Sequence, residues 1–364
     1  MSQPSYQYPH VEIDLGKLKE NLAALQERCQ ASSIEISGVV KGFHALPAAA
    51  KVYEEVGVSS IASSRMDQLR GLKEAGIQTP LMLIRIPMPS EVEDVVTWSD
   101  ISLNSECSVL RLLDEAARNK GKTHKVILMV DLGDLREGFW DWDELVAAAL
   151  EVEHDLPNLE LLGVGTNLGC YGSIQATPEK MHDLVAAAEQ VEKAIGRKLE
   201  VISGGASSSL HMVLDGTMPP RINHLRVGEG ILLGSIWGCN MDFMHKDIMV
   251  LRAQVIESKV KPSHPVGELS VDAFGQTRTY VDRGHRLRCL LAMGRVDYGE
   301  SDDLIPREPG IKVLGASSDH TILDVEGATR RLKTGDVLEF DLCYATMVYL
   351  TGSKSVHIYY KNET

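Results

Sequence analysis

Between about residue 35 and residue 235 the chain repeats one pattern eight times: a short apolar run, a turn, then an amphipathic stretch. The runs are Ser37–Val40, Ser59–Ala62, Pro80–Ile86, Asp100–Leu103, Val126–Asp131, Leu159–Gly165, Leu199–Ser203 and Asn223–Val227. Segments between them carry helix signals. Thr177 precedes Pro178 at a first helical position and Gly196 ends that helix, while Val109, Leu112, Leu113 and Ala116 share one face of Ser105–Asn119. Strands alternating with helices imply parallel βαβ units. Eight units over roughly 200 residues are the count of a (β/α)8 barrel. A doubly wound open sheet is the alternative.

The flanks differ. His10–Asp14 alternates like a strand, and Asp14 is placed to cap a helix bearing Leu15, Leu18, Leu22 and Leu25. After residue 240, Leu251–Val255, Tyr280–Met293, His320–Val325, Val337–Leu342 and Val356–Tyr360 read as strands, with a turn at Thr334-Gly335-Asp336. That is the pattern of an antiparallel β domain. The expected division is a barrel over 8–240 and a β domain over 241–364, with strand 8–14 free to join the second.

Charge and cysteine usage narrow the function. A formal charge of -14 repels nucleic acid and anionic membranes, which leaves a small-molecule ligand as the expected partner. No apolar run approaches the length of a membrane span, and the N-terminus has no basic segment leading into an apolar core. The six cysteines are scattered without a CxxC pair, as free thiols in a reducing cytoplasm would be. The expectation is a cytoplasmic enzyme.

In a (β/α)8 barrel the chemistry sits at the C-terminal ends of the strands. Polar residues there are Lys41, Arg85, Asn104, Asp131 with Arg136, Thr166 with Asn167, Ser203 and Arg226. A lysine at a strand mouth can lose its proton by desolvation and attack a carbonyl, although many such lysines merely snorkel. The loops after the seventh and eighth runs, Ser203-Gly-Gly-Ala-Ser207-Ser208 and Arg226-Val-Gly228-Glu229-Gly230, are rich in glycine and serine. Barrels frequently bind phosphate at these two loops. No GxGxxG, P-loop, HExxH or GxSxG motif is complete, and the histidines show no metal-ligand spacing.

A lysine on the first barrel strand, a Gly/Ser loop on the seventh and Arg-x-Gly on the eighth resemble the alanine racemase family of fold-type III pyridoxal phosphate enzymes. Val11-Glu-Ile-Asp-Leu15 looks like its EIDL opening, and Val39-Val-Lys41 like its VVK, which implies that Lys41 is the Schiff-base lysine. Met129-Val-Asp131-Leu-Gly133-Asp-Leu-Arg136-Glu-Gly138 is similar to KxDTGMxRxG and implies that Arg136 lies near the substrate. Ala206-Ser207-Ser208 stands where the family has Ala-Asn-Ser. This implies that Ser208 binds phosphate, with Ser207 beside it, and that the Gly228 and Glu229 amides join them. Arg226 would face the pyridine nitrogen. Gly315–Val325 is similar to GRVCMDQTMVDV, which places Ser318 and Asp319 near the substrate. Val296-Asp-Tyr298-Gly-Glu300 looks like VGYGDG and implies that Tyr298 is a second base, supplied across a homodimer, with Cys170, Tyr171 and Tyr344 in reserve. Tyr344 would also be a phosphate ligand.

Departures from the family pattern point to a branch. Met129 replaces a lysine, Asn167 replaces a histidine packed on the cofactor ring, and serines replace the Cys-Met pair before Asp319. Gly163–Gly172 and Ile202–Leu210 resemble the ornithine and lysine racemases. The resemblance implies pyridoxal 5'-phosphate, two-base racemisation and a basic amino acid, ornithine ahead of lysine, with Asp319, Asp297, Glu229 and Glu300 as carboxylates for its distal ammonium. Rival readings are an alanine or broad-specificity racemase, a metal-assisted D-threonine aldolase or D-serine dehydratase, and a pyridoxal-phosphate-binding protein without turnover. The His-x-Cys pair of the metal-assisted enzymes does not occur after residue 240, their His-x-Asp spacing occurs there once, at His245-Lys246-Asp247, and the β domain argues against the last rival.

Overall fold

The computed structural model describes residues 6–236, 239–272, 274–277 and 279–362. Residues 1–5, part of the N-terminal stretch in which no leader was seen, lie outside them. The chain divides into two units, Lys17–Lys246 and Met1–Gly16 with Asp247–Thr364.

The first unit is a closed parallel barrel rather than an open sheet. With β1 as the N-terminal strand His10–Asp14, its strands are β2 (Glu35–Val39), β3 (Ser60–Ser63), β4 (Leu81–Leu83), β5 (Ile101–Asn104), β6 (His124–Met129), β7 (Leu159–Gly165), β8 (Val201–Ser203) and β9 (His224–Val227). Closure is the pairing of β9 with β2, from Glu35 against His224 to Gly38 against Val227. The interior is packed by Val39, Ala62, Met82, Ile101, Leu103, Ile127, Met129 and Leu162. Branched and flexible apolar side chains fill a barrel of this size, so it is a core and not a pore.

Two glycines let the barrel close. A Cβ on Gly163 would lie 1.8 Å from the Val201 carbonyl oxygen, across the β7–β8 pairing. One on Gly38 would lie 2.2 Å from the ring of Tyr53, a fully buried residue of the helix Pro47–Val56. The helix Pro178–Ile195 starts on the Thr177 cap and ends at Gly196 with φ 77°, as the residue types dictate.

The second unit is one sheet of eight strands. Its main path runs Ile305–Pro306, Val337–Asp341, Met249–Pro262, His285–Leu291, Thr321–Asp324, Lys312–Ala316, all antiparallel. β1 belongs to this sheet, antiparallel to Met249–Pro262 and parallel to His357–Lys361. A helix, Tyr344–Gly352, fills a stretch that carries no strand.

Candidate active site

Lys41 is the first residue of a short 3-10 turn that follows β2, and the chain then turns through His44 and Ala45 at φ 51° and 52°. The side chain is half-buried, and its Nζ has no hydrogen-bond or ion-pair partner among the described residues. Burial pushes the Lys41 ammonium below its usual range; Arg136 and Arg226 push the same way, and Cys170 and Glu137 oppose them. The outcome is an amine biased towards its neutral, nucleophilic form.

Arg226, on β9, is buried. It donates to the Ser203 Oγ at 2.5 Å and to the Thr166 carbonyl at 2.7 Å, and no carboxylate bonds it among the described residues. Burial lowers its pKa to about 10, with Glu137 opposing and Arg136 deepening the shift. His224, two residues earlier and on the same face of β9, stands between the hydroxyls of Ser203 (2.8 Å) and Ser37 (2.7 Å). Burial, then Arg226, lowers its pKa to about 3, so it is neutral.

Arg136 lies on the loop after β6, where Glu137 grips its guanidinium through Nε and Nη2. That grip raises the Arg136 pKa. The loop is shaped by Asp131, whose Oδ1 accepts from Gly133 N and Leu135 N at 2.8 and 3.1 Å. It also carries Asp134, a buried carboxylate that accepts from the amides of Gly169, Cys170, Tyr171 and Ile174 at 3.0–3.4 Å. Asp134 thereby pins the loop after β7, on which Asn167 donates to Cys170 Sγ at 3.0 Å. Neither Asp134 nor Glu137 stood out in the sequence; the signal available was an Asp-Leu-Gly-Asp turn with one acid more than the turn requires.

The loops after β8 and β9 bond to one another and to the loop after β7. The Ser207 hydroxyl, not that of Ser208, receives the amides of Gly228 (3.3 Å) and Gly230 (3.2 Å). Ser208 instead donates to the Leu168 carbonyl at 2.9 Å. The half-buried Glu229 carboxyl is raised in pKa by burial. A Cβ at Gly228 would sit a tight 3.0 Å from both the Val39 Cβ and its carbonyl oxygen, so β2 would have to give way by a few tenths of an ångström. Arg85 is a structural residue, bidentate to Glu91 at 2.7 and 2.9 Å. Asn104 and Thr166 bond backbone carbonyls of their own or neighbouring strands and cap no helix.

The remaining expected residues lie in the β unit. Tyr298 is fully buried there, with its hydroxyl 2.7 Å from Thr321 Oγ1. Thr321 gives its own proton to the Met293 carbonyl, so the tyrosine must be the donor. The ring has no exposed edge in the single chain and its proton is engaged. Burial raises its pKa, with Thr321 opposing. Asp319 is exposed and accepts from the Ser318 hydroxyl at 2.5 Å. Asp297 is buried and taken up by Gly294 N and Ser353 Oγ, and Glu300 pairs with Arg295. Tyr344 opens the helix Tyr344–Gly352.

The sequence family described as alanine racemase, N-terminal domain, matches residues 13–235. An ornithine racemase of Acetoanaerobium sticklandii is 39% identical over 96% of this chain and 98% of its own. A lysine racemase of Thermotoga maritima is 37% identical over 97% and 99%. Among solved structures, alanine racemase from Streptomyces lavendulae superposes with a TM-score of 0.74 at 20% identity, covering 98% of both chains. D-threonine aldolase from Filomicrobium marinum reaches 0.72 at 17% identity, over 95% of this chain and 89% of that one; at such identities the likeness is one of fold. A barrel whose first strand delivers an unpartnered lysine, matched along its whole length, makes this chain a member of the alanine racemase family.

Proposed function

We propose that the protein is a pyridoxal-phosphate-dependent racemase of basic amino acids, with ornithine ahead of lysine. The observation that carries the reading is Lys41: half-buried, without a partner, and held towards neutrality beside Arg136 and Arg226. The relatives named ornithine racemase and lysine racemase, matched over nearly all of the chain, support the substrate class.

The residues present fit the cofactor. Lys41 is the amine for its aldehyde, the Ser207 and Ser208 hydroxyls with the backbone amides of the loop after β9 would serve its phosphate, and Arg226 suits its ring nitrogen. Bound there, the cofactor supplies an electron sink that acidifies the α-hydrogen of the substrate. The chain's own groups do the rest. Lys41 Nζ, biased towards its neutral form, takes the α-proton on one face, a role that contributes roughly 10²–10⁴-fold. Arg136 has its Nη1 edge free of Glu137 for the substrate carboxylate. Arg226 presents a fixed positive charge that disfavours protonation of whatever basic nitrogen it meets. Ser318 and Asp319 are the expected substrate neighbours supplied in a homodimer, and Asp319 is the one of the four candidate carboxylates that is both exposed and unpaired with an arginine. A distal ammonium cannot leave water without such a partner. The protein works in the cytoplasm.

Chiral chromatography with ornithine, lysine and alanine at equal concentration tests the reading. Turnover of both diamino acids above alanine is expected, and faster alanine turnover would overturn it. Borohydride reduction of the holoenzyme should fix the cofactor on the peptide carrying Lys41, and attachment to another lysine would remove the assignment.

A further inference from the structure

The Arg226 side chain ends a chain of buried hydrogen bonds that crosses four barrel strands. A guanidinium only donates. Its Nη1 therefore gives a proton to Ser203 Oγ, and Ser203 must send its own proton elsewhere. The other partner of that hydroxyl is His224 Nδ1, at 2.8 Å. Nδ1 is thus the acceptor and Nε2 carries the hydrogen, which it donates to Ser37 Oγ at 2.7 Å. Ser37 passes its proton to Ser60 Oγ at 2.5 Å. Ser37, Ser60, Ser203, His224 and Arg226 are all buried, so water cannot substitute for any of them. The strand register enforces the order: Ser203 pairs with His224, Ser37 with Arg226, and Ser37 with Ser60.

We propose that His224, locked as the Nε2–H tautomer, is a positioning residue that aims Arg226 through Ser203. It fixes the point in the barrel at which the guanidinium meets the cofactor's ring nitrogen. Protonating His224 would strip Ser203 of its acceptor and set a second cation beside Arg226. The depressed pKa of the imidazole agrees with that account. The inference rests on the functional reading above only in naming what Arg226 faces; the direction of the hydrogen bonds does not depend on it.

Two variants separate the role from bulk packing. In His224→Asn the amide oxygen can replace Nδ1 as the acceptor for Ser203, while His224→Leu removes it. Both are compared with wild type as purified holoenzymes after circular dichroism has shown them folded. His224→Leu should bind pyridoxal phosphate about tenfold more weakly or worse, as loss of a bond serving a charged group implies, and shift the absorption maximum of the bound cofactor. His224→Asn should stay within about threefold of wild type and keep its spectrum. Equal behaviour of the two variants, or a wild-type spectrum and affinity in His224→Leu, overturns the proposal. Should His224→Leu fail to fold, Ser203→Ala breaks the same link and is read in the same way. ¹⁵N-histidine NMR of wild type should show one imidazole, missing from the spectrum of His224→Asn, as the Nε2–H tautomer without titration above pH 5; titration near 6.5 overturns the proposal. If wild type takes up no pyridoxal phosphate, the functional reading fails with what Arg226 is said to face. A wild type that binds it alongside an unaffected His224→Leu sinks the relay alone.

Discussion

Removing the Asp134 carboxylate should loosen the loop after β7 in a way that can be counted oxygen by oxygen. Oδ1 accepts from Gly169, Cys170 and Ile174, and Oδ2 from Tyr171. The loop also packs against Asp134 itself, since a Cβ on Gly172 would lie 2.7 Å from the Asp134 carbonyl oxygen. A hydrogen bond to an ionised group contributes about 1.5–3 kcal/mol net. Four of them would sum to far more than a single side chain delivers, because three share one oxygen and exposed Gly169–Tyr171 can recover water. We therefore expect about 3 kcal/mol of destabilisation for Asp134→Ala, the upper end of ordinary single substitutions. Asp134→Asn keeps an oxygen at the Oδ1 position but turns an NH2 towards Tyr171 N–H. That variant should lose about 1–2 kcal/mol.

Urea unfolding gives both values by linear extrapolation, and limited proteolysis reads the loop directly. Cleavage near 169–174 should rise in the order wild type, Asn, Ala. Cofactor affinity should fall in the same order, because Asn167 and Cys170 are carried on the pinned segment. A loss below about 0.5 kcal/mol for Asp134→Ala, within the range of neutral surface changes, would refute the pinning argument. Equal losses for the two variants would refute the assignment of amides to separate oxygens.

Ser207→Ala should weaken pyridoxal phosphate binding by about 1 kcal/mol, roughly fivefold, in a fluorescence titration, and Ser208→Ala by less; the reverse ranking would make Ser208 the main phosphate serine. Tyr298→Phe should cost about 1 kcal/mol in stability through the lost bond to Thr321 and, if Tyr298 is the second base, slow deuterium wash-in from one enantiomer more than the other, whereas near-normal exchange from both would remove it from the mechanism. Gly163→Ala should destabilise by more than about 4 kcal/mol or prevent folding, because the clashing atom is backbone that cannot rotate away; a soluble variant with wild-type urea midpoint would contradict the β7–β8 spacing. Acid should unfold the barrel early. His224 and His124 have folded pKa values of about 3 and about 4, below the unfolded value, so their stabilisation is complete above pH 6.5 and is lost as pH falls from there. The slope reaches about 1.4 kcal/mol per pH unit for each histidine, and an unchanged urea midpoint from pH 7 to 5 would count against it.

All eight barrel strands could be read from apolar runs, because buried parallel strands are apolar on both faces and need no long-range information to stand out. Closure could not, since it depends on Glu35–Gly38 meeting His224–Val227 nearly two hundred residues away. The helix Tyr344–Gly352 escaped notice because Tyr, Thr and Val are strand formers by local preference, and tertiary context overrode them. Lys41, Arg136 and Arg226 were legible as charges at strand ends, where burial is costly enough to demand a reason. The choice between Ser207 and Ser208 was not, because three consecutive serines are identical in type and only the turn they form decides which hydroxyl faces the glycine amides. His224 could have been found: it is two residues before Arg226 on an apolar strand, and period-two alternation puts both on one face.

The charges of the barrel site act on one another. Arg136 is matched by Glu137, and their mutual grip leaves that pair close to neutral. Lys41 is driven towards its uncharged form by burial and by both arginines. Arg226 is left as a buried cation held by a serine hydroxyl and a carbonyl oxygen, neither of which cancels its charge. A buried charge with dipoles alone for company is expensive, and its lowered pKa records the cost. The same barrel turns two glycine amides onto one serine oxygen, which can satisfy them only in part at 3.2–3.3 Å. A negative charge close to Lys41 would favour its ammonium form, so the lowering by burial and by the two arginines is what keeps its attack on a carbonyl within reach. The buried charge at Arg226 and the lowered pKa of Lys41 are therefore two parts of one electrostatic arrangement, in which the guanidinium helps bias the amine towards its reactive form.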